Sequence, residues 1–275
     1  MGGRLLMETL YAGIVDRLSS ADYHRYHALG STSLKTLAMR TPAHYQWDLH
    51  HRVEKKEFDL GTAAHSMILE NDDSRIVQVN FDSWISRDAK EARAAAYADG
   101  LTPLLIRDYR QVVGMRDAVM AHPLARQAFT NHKAETSVFW KEDGLDLKCR
   151  PDAWRPDLLI DLKTTKNADP RHFNKTVADF GYHQSHAHYV DGIKAVTGEE
   201  LPFLFVLVEK FPPYLVSVVE LHPLAVDMGR RLNTRAKRIY QECTKTGIWP
   251  GYPRSEQIEL PAWAAQQMEG LLNHD

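Results

Sequence analysis

Asp152, Asp161 and Lys163 are the residues of this chain whose types and spacing best suit joint chemistry. Leu158-Leu-Ile-Asp161-Leu-Lys163 is predicted as a strand, so Asp161 and Lys163, two apart, point to one face. Asp152 follows the alternating segment Leu145–Cys149, a second predicted strand. If Trp154-Arg-Pro-Asp157 turns the chain, Asp161 returns on a strand about 5 Å away. Two carboxylates so placed repel unless a proton or cation lies between them. A hard divalent ion such as Mg²⁺ or Mn²⁺ takes oxygen ligands and suits that gap. Phosphoryl transfer uses every part of the set: the ion lowers the pKa of water it holds and binds a phosphate oxygen. The ammonium group orients the attacking water or stabilises charge developing on phosphate.

A blander reading exists, because Asp-x-Lys pairs are common on solvated strands. Leu158-Leu-Ile, apolar on both faces, argues instead for a buried strand. An inward acid and lysine beside a second acid are costly in a merely structural core. Glu135, opening a predicted strand Glu135–Trp140, is a candidate third acid, although charges at strand ends are usually solvated. His65 lies in an apolar helical stripe with Ala63, Ala64, Met67 and Ile68, and taken alone reads as a core histidine. Gly181–Tyr189 is dense in hydrogen-bonding groups on a predicted helix. Gln184 and His188, four apart, share a face there. Gln184 is a candidate to bind substrate or position Lys163; the alternative is an exposed helix with incidental histidines. His183, His186 and His188 could bind zinc, but without a recognised metal spacing.

These residues must be held by a fold. The chain has 275 residues, 44 % apolar and 25 % charged, enough for a full core in one large domain or two small ones. Its two cysteines, Cys149 and Cys243, are too few for a disulfide framework or a thiolate metal site and suit a reducing compartment. The opening Met1–Gly13 lacks an apolar signal region, and no stretch approaches the roughly 18 apolar residues of a membrane span. A cytoplasmic protein that does not meet the membrane is expected. The net charge of -2 argues against a broad nucleic-acid-coating surface, not against a local basic channel.

Helices are expected after Ser33, a candidate cap, and through Ala43–His51. Glu57–Gly61 opens the apolar helix Thr62–Glu70. A short strand is expected at Arg75–Val79, followed by helices through residue 132, including Ala89–Asp99 and Arg107–Ala121. From about residue 134 come three strands, then a helical region Phe173–Val196 that Gly181 could break. Strands Phe203–Lys210 and Leu215–Leu221 follow, then the long helix Pro223–Thr246 and a terminal helix. The order predicts an α/β fold with a mixed central sheet flanked by helices. It reads as one domain: a mainly helical part (1–133), a sheet carrying the site (134–221) and C-terminal helices (222–275).

The ordered motifs resemble those of the PD-(D/E)xK nuclease superfamily, and within it the phage and prophage exonuclease VIII group, relatives of the RecE C-terminal nuclease. They are Ser31-Thr-Ser33-Leu-Lys35 with Pro42-Ala-His44-Tyr45, Gly61-Thr-Ala-Ala-His65, Glu135, Arg150-Pro-Asp152, Asp161-Leu-Lys163-Thr-Thr165 and Tyr182–Tyr189. The resemblance implies a restriction-endonuclease-like core with a helical N-terminal elaboration. It makes His65, Asp152, Asp161 and the Leu162 carbonyl metal ligands. Glu135 matches the acid of the first core strand, binding a second metal directly or through water. The family helix reads Gln-x-x-x-Tyr; here Gln184 to Tyr189 is one residue longer. Either Ser185 takes the glutamine position or His188 takes the tyrosine position.

The resemblance further implies Mg²⁺, with Mn²⁺ as substitute, and 5′-to-3′ degradation of linear double-stranded DNA that leaves 3′ overhangs. The expected partners are DNA ends, other copies in a ring (a trimer or tetramer) and a single-strand annealing protein. The basic side chains of 230–245 are candidates to line the ring channel or, equally, to form a solvated face. The rival readings are a single-strand or structure-specific nuclease of the same fold, and a DNA-binding or assembly protein with weak catalysis.

Overall fold

The computed structural model describes residues 13–51, 59–253, 255 and 257–273. Most of the opening segment read above for a leader, and Glu57 and Phe58, lie outside these. Strand β1 (Gly13–Val15) and helices α1 (Ser20–Arg25), α2 (Ser31–Met39) and α3 (Pro42–His50) come first. Helix α4 (Asp59–His65) runs straight into a π-helical turn, Ser66–Glu70. Then follow β2 (Ile76–Val79), α5 (Arg87–Ala98), β3 (Thr102–Leu105), α6 (Ile106–Ala121) and α7 (Pro123–Ala128). The sheet region holds β4 (Lys133–Ala134), β5 (Ser137–Glu142), β6 (Leu145–Cys149), β7 (Ala153–Arg155) and β8 (Leu158–Thr165). Helices α8 (Pro170–Phe180) and α9 (Tyr182–Thr197) cross to β9 (Phe203–Glu209) and β10 (Val216–Val219), and α10 (Pro223–Thr246) and α11 (Ala262–Leu272) end the chain.

The main sheet has the order β10-β9-β8-β7-β4, and a three-stranded sheet has the order β1-β5-β6. β8 pairs parallel with β9, as a helical crossover requires, and antiparallel with β7. The main sheet divides two cores. Leu159, Phe203, Phe205 and Leu207 face a core shared with α2, α9 and α10. Ile160, Leu162, Val206 and Val208 face a second core built on α4, α6 and α7. The mixed α/β architecture agrees with the expectation from the sequence.

Several local expectations need correction. Trp154 is not a turn residue: Ala153–Arg155 is itself the strand paired to β8. The 86–132 region contains β3, which pairs parallel with β2. Helix α2 begins two residues before Ser33, with Gly30 at its N-cap and no side-chain cap bond. Strand β5 begins at Ser137, two residues after Glu135. These elements are two to four residues long or are set by pairing with distant segments, so local pattern carries little of their signal.

Two contacts fix the helices over the site face. The Lys148 ammonium, buried on β6, donates to the carbonyls of Tyr23 and Tyr26, each at 2.7 Å, tying the α1–α2 segment to the sheet. α10 crosses α9 at Gly229, where an added Cβ would lie 2.1 Å from the carbonyl oxygen of His183. That neighbour is backbone and cannot swing aside. Gly229→Ala is therefore expected to destabilise the protein by about 1–3 kcal/mol, despite alanine's better helix propensity. Thermal melting checks this, with Gly251→Ala, which meets only Ala43 Cβ at 3.8 Å, as the near-neutral control.

Candidate metal-dependent active site

The site forms where the chain changes sheets. After β4 the chain leaves the main sheet for β5, and Glu135 lies in that step. After β6 it returns to begin β7, and Asp152 lies in that step. The two crossings touch: the Glu135 N–H donates to the Asp152 carbonyl at 3.1 Å. Glu135 takes a left-handed backbone (φ 49°), which costs a non-glycine residue roughly 1–2 kcal/mol. Strain of this kind, held by surrounding structure, is characteristic of functional positions.

β7 starts at Ala153, opposite Ile160, so Asp152 stands beside Asp161 at the strand's end. The Leu162 amide lies past the end of β7, and the Asp152 carboxylate accepts from it at 2.7 Å. Backbone N–H and C=O of one strand residue point to the same side. The Leu162 carbonyl is thus directed toward Asp152, as a ligand role requires. His65 comes from the opposite layer, at the junction of α4 with its π-helical turn, and its Nδ1 lies 3.8 Å from Asp152 Oδ2. π-Helical turns recur at functional sites because they re-aim side chains.

Among the described residues, His65, Glu135 and Asp152 form a group in which one ligand atom from each lies within 4.8 Å of the others. Asp161 is 4 % exposed and pairs with Lys163. Electrostatics describe a site short of positive charge. Burial, then repulsion from Asp152, lifts the Glu135 carboxyl to about 7, with Arg150 opposing from 3.9 Å. Burial also raises Asp161, against the pull of Lys163. Burial works against the Lys163 charge, yet Asp161 and Asp152 outweigh it and hold the ammonium protonated. A nitrogen-plus-oxygen donor set with carboxylates pushed toward neutrality fits a divalent cation.

Gln184 is not among the residues gathered. Helix α9 directs Tyr182 toward the site, where its ring lies 5.2 Å from the Lys163 ammonium. Gln184, two residues on, faces roughly the other way and is fully buried, its backbone carbonyl accepting from Asn233 Nδ2 at 2.9 Å. His188 donates from Nε2 to the Lys148 carbonyl at 2.9 Å, and burial lowers its pKa to about 4. His183, His186 and His188 form no metal cluster among the described residues. Position 185 shares the site-facing side of α9 with Tyr182 and Tyr189, which favours Ser185 as the occupant of the glutamine position.

Sequence reasoning gave no individual role to Tyr182, Arg150 or Lys35. Arg150 donates to Ser137 Oγ at 2.6 Å and to the Leu18 carbonyl at 2.7 Å, which sets it beside Glu135. Lys35 lies 5.7 Å from the Tyr182 ring. Burial, then Lys163, lowers its pKa to about 8, partly offset by Asp161. The cue for Tyr182 was the preceding Gly181, whose left-handed backbone turns α8 into α9.

The profile of a family described as a PDDEXK-like domain of unknown function (DUF3799) matches residues 30–261. Among solved structures, a candidate exonuclease from Eubacterium rectale aligns with 93 % of this chain and 100 % of its own, with TM-score 0.64 and 13 % identity. That likeness is one of fold. An alkaline exonuclease (LHK-Exo) from Laribacter hongkongensis aligns with 78 % of this chain and 99 % of its own, but at TM-score 0.25 and 11 % identity it carries no argument. No curated protein matches the sequence. With most of its length matched and this fold, the chain belongs to the PDDEXK-like family DUF3799.

Proposed function

We propose that this protein is a Mg²⁺-dependent exodeoxyribonuclease that degrades linear double-stranded DNA 5′ to 3′, leaving 3′ overhangs for recombination by strand annealing. The observation that carries the reading is the meeting of His65, Glu135 and Asp152 beside the buried Asp161–Lys163 pair. His65, Asp152, Asp161 and the Leu162 carbonyl would hold one ion, and Glu135 would hold that ion or a second. Such an ion, when bound, supplies Lewis acidity toward a phosphate oxygen and toward water. Mn²⁺ is the expected substitute.

The chain's own groups do the rest. Lys163, kept charged by two carboxylates, orients the attacking water and stabilises charge on the phosphate. Asp152, bonded to the Leu162 amide, fixes the strand carrying Asp161 and Lys163 against the neighbouring crossing. Hydrolysis in line leaves a 5′-phosphate and a 3′-hydroxyl. A ring of copies around the duplex, and a single-strand annealing protein at the overhang, complete the proposal. On α10, Arg230 is paired with Asp191, and Lys237 with Glu142, leaving exposed Arg231, Arg238 and Lys245 to meet a backbone.

Asp161→Asn and Lys163→Met, which keep side-chain volume, are expected to lower Mg²⁺-dependent cleavage by about 100-fold or more with little change in melting temperature. Full activity in either variant would overturn the site. Digestion of 5′- and 3′-labelled linear duplex beside closed circular DNA reads the substrate. Loss from 5′ ends with the circle intact is expected; rapid loss of the circle would mark a structure-specific endonuclease, and binding without cleavage an assembly protein. His65→Ala should weaken Mn²⁺ binding about tenfold or more by calorimetry; unchanged affinity would remove His65 from the ligand set.

A further inference from the structure

Lys35 is a half-buried cation with no carboxylate in ion-pair reach among the described residues, beside a site whose other lysine has one. Its place is built. Leu34, Leu37 and Ala38 anchor α2 in the core below α9 and α10. The Lys35 stem crosses Gly181, where an added Cβ would lie 2.8 Å from its Cδ. Its ammonium ends 5.7 Å from the Tyr182 ring, and the Lys163 ammonium lies 5.2 Å from the same ring. The ring itself is fixed, stacking on Phe205 at 5.9 Å, and Phe205 is the register partner of Asp161.

We propose that Lys35 binds a backbone phosphate of the substrate strand, so that it and Lys163 both hold the phosphodiester beside Tyr182. This rests on the nuclease reading above and adds to it a binding residue outside the metal ligands and the Asp161–Lys163 pair. Two like charges converging on one ring are unfavourable unless an anion joins them, and Lys163 is already satisfied by Asp161. Burial, then the neighbouring Lys163 charge, lowers the Lys35 pKa, and Asp161 offsets this only in part. A phosphodiester is the anion that a cleaved strand brings to that position.

The test measures binding of a fluorescent linear duplex in EDTA over a range of KCl, so that no cleavage enters. Lys35→Met is expected to weaken binding about tenfold and to reduce the slope of log Kd against log salt by about 0.9, the loss of one phosphate contact. Lys35→Arg should restore the slope. Lys35→Gln repeats the measurement with a polar, uncharged head if methionine lowers the melting temperature. A wild-type slope and affinity in Lys35→Met and Lys35→Gln would overturn the proposal, as would failure of Lys35→Arg to restore either. Wild-type protein that binds duplex but does not cleave it in Mg²⁺ defeats the nuclease reading, while the salt slopes still decide Lys35. Wild-type protein that does not bind DNA defeats both.

Discussion

Like-charge repulsion among three partly dry carboxylates is the constraint on which the rest of this structure turns. Glu135, Asp152 and Asp161 would not be gathered into one cleft for stability, because burial and mutual repulsion raise two of them toward neutrality. The fold nevertheless enforces the gathering. Two sheet-to-sheet crossings run side by side, one holding a glutamate in a left-handed backbone, and the end of β7 leaves an amide that the Asp152 carboxylate meets. Lys163 relieves part of the charge, and a bound divalent cation would relieve the remainder. Stability given up at one place in this way is the physical signature of a working site.

The scaffold explains how that cost is carried. β8 is central in its sheet, with a core on each face, so Asp161 and Lys163 stand on one of the best-supported strands. The helices above are packed to backbone contact at Gly229, and Lys148 bolts the first helices to β6. Precise placement of reacting groups requires rigid surroundings of this kind.

Much of this was legible in the sequence, for reasons that differ between residues. The Asp161-Leu-Lys163 spacing reports a shared strand face directly, since strand period is local. The long helix Pro223–Thr246 was legible through its period and its flanking Pro223 and Gly247. His65 was not legible from pattern, because an apolar helical stripe reads the same around a core histidine and a ligand; only resemblance to a family separated them. Gln184 misled, because sequence spacing names residues on one helix face without saying which face meets the site. Lys35 and Tyr182 converge across 147 positions of chain, a juxtaposition no local pattern encodes. The three-residue strand β7 was hidden in what looked like a turn, yet it sets Asp152 opposite Asp161.

The most direct test of the account is anomalous diffraction at the manganese edge from a crystal soaked in Mn²⁺. The expected result is a peak among His65, Glu135, Asp152 and the Asp161 side of β8, lost in Asp152→Asn with the fold preserved. A protein that binds Mn²⁺ elsewhere, or leaves these carboxylates without a cation at saturating Mn²⁺, would contradict it.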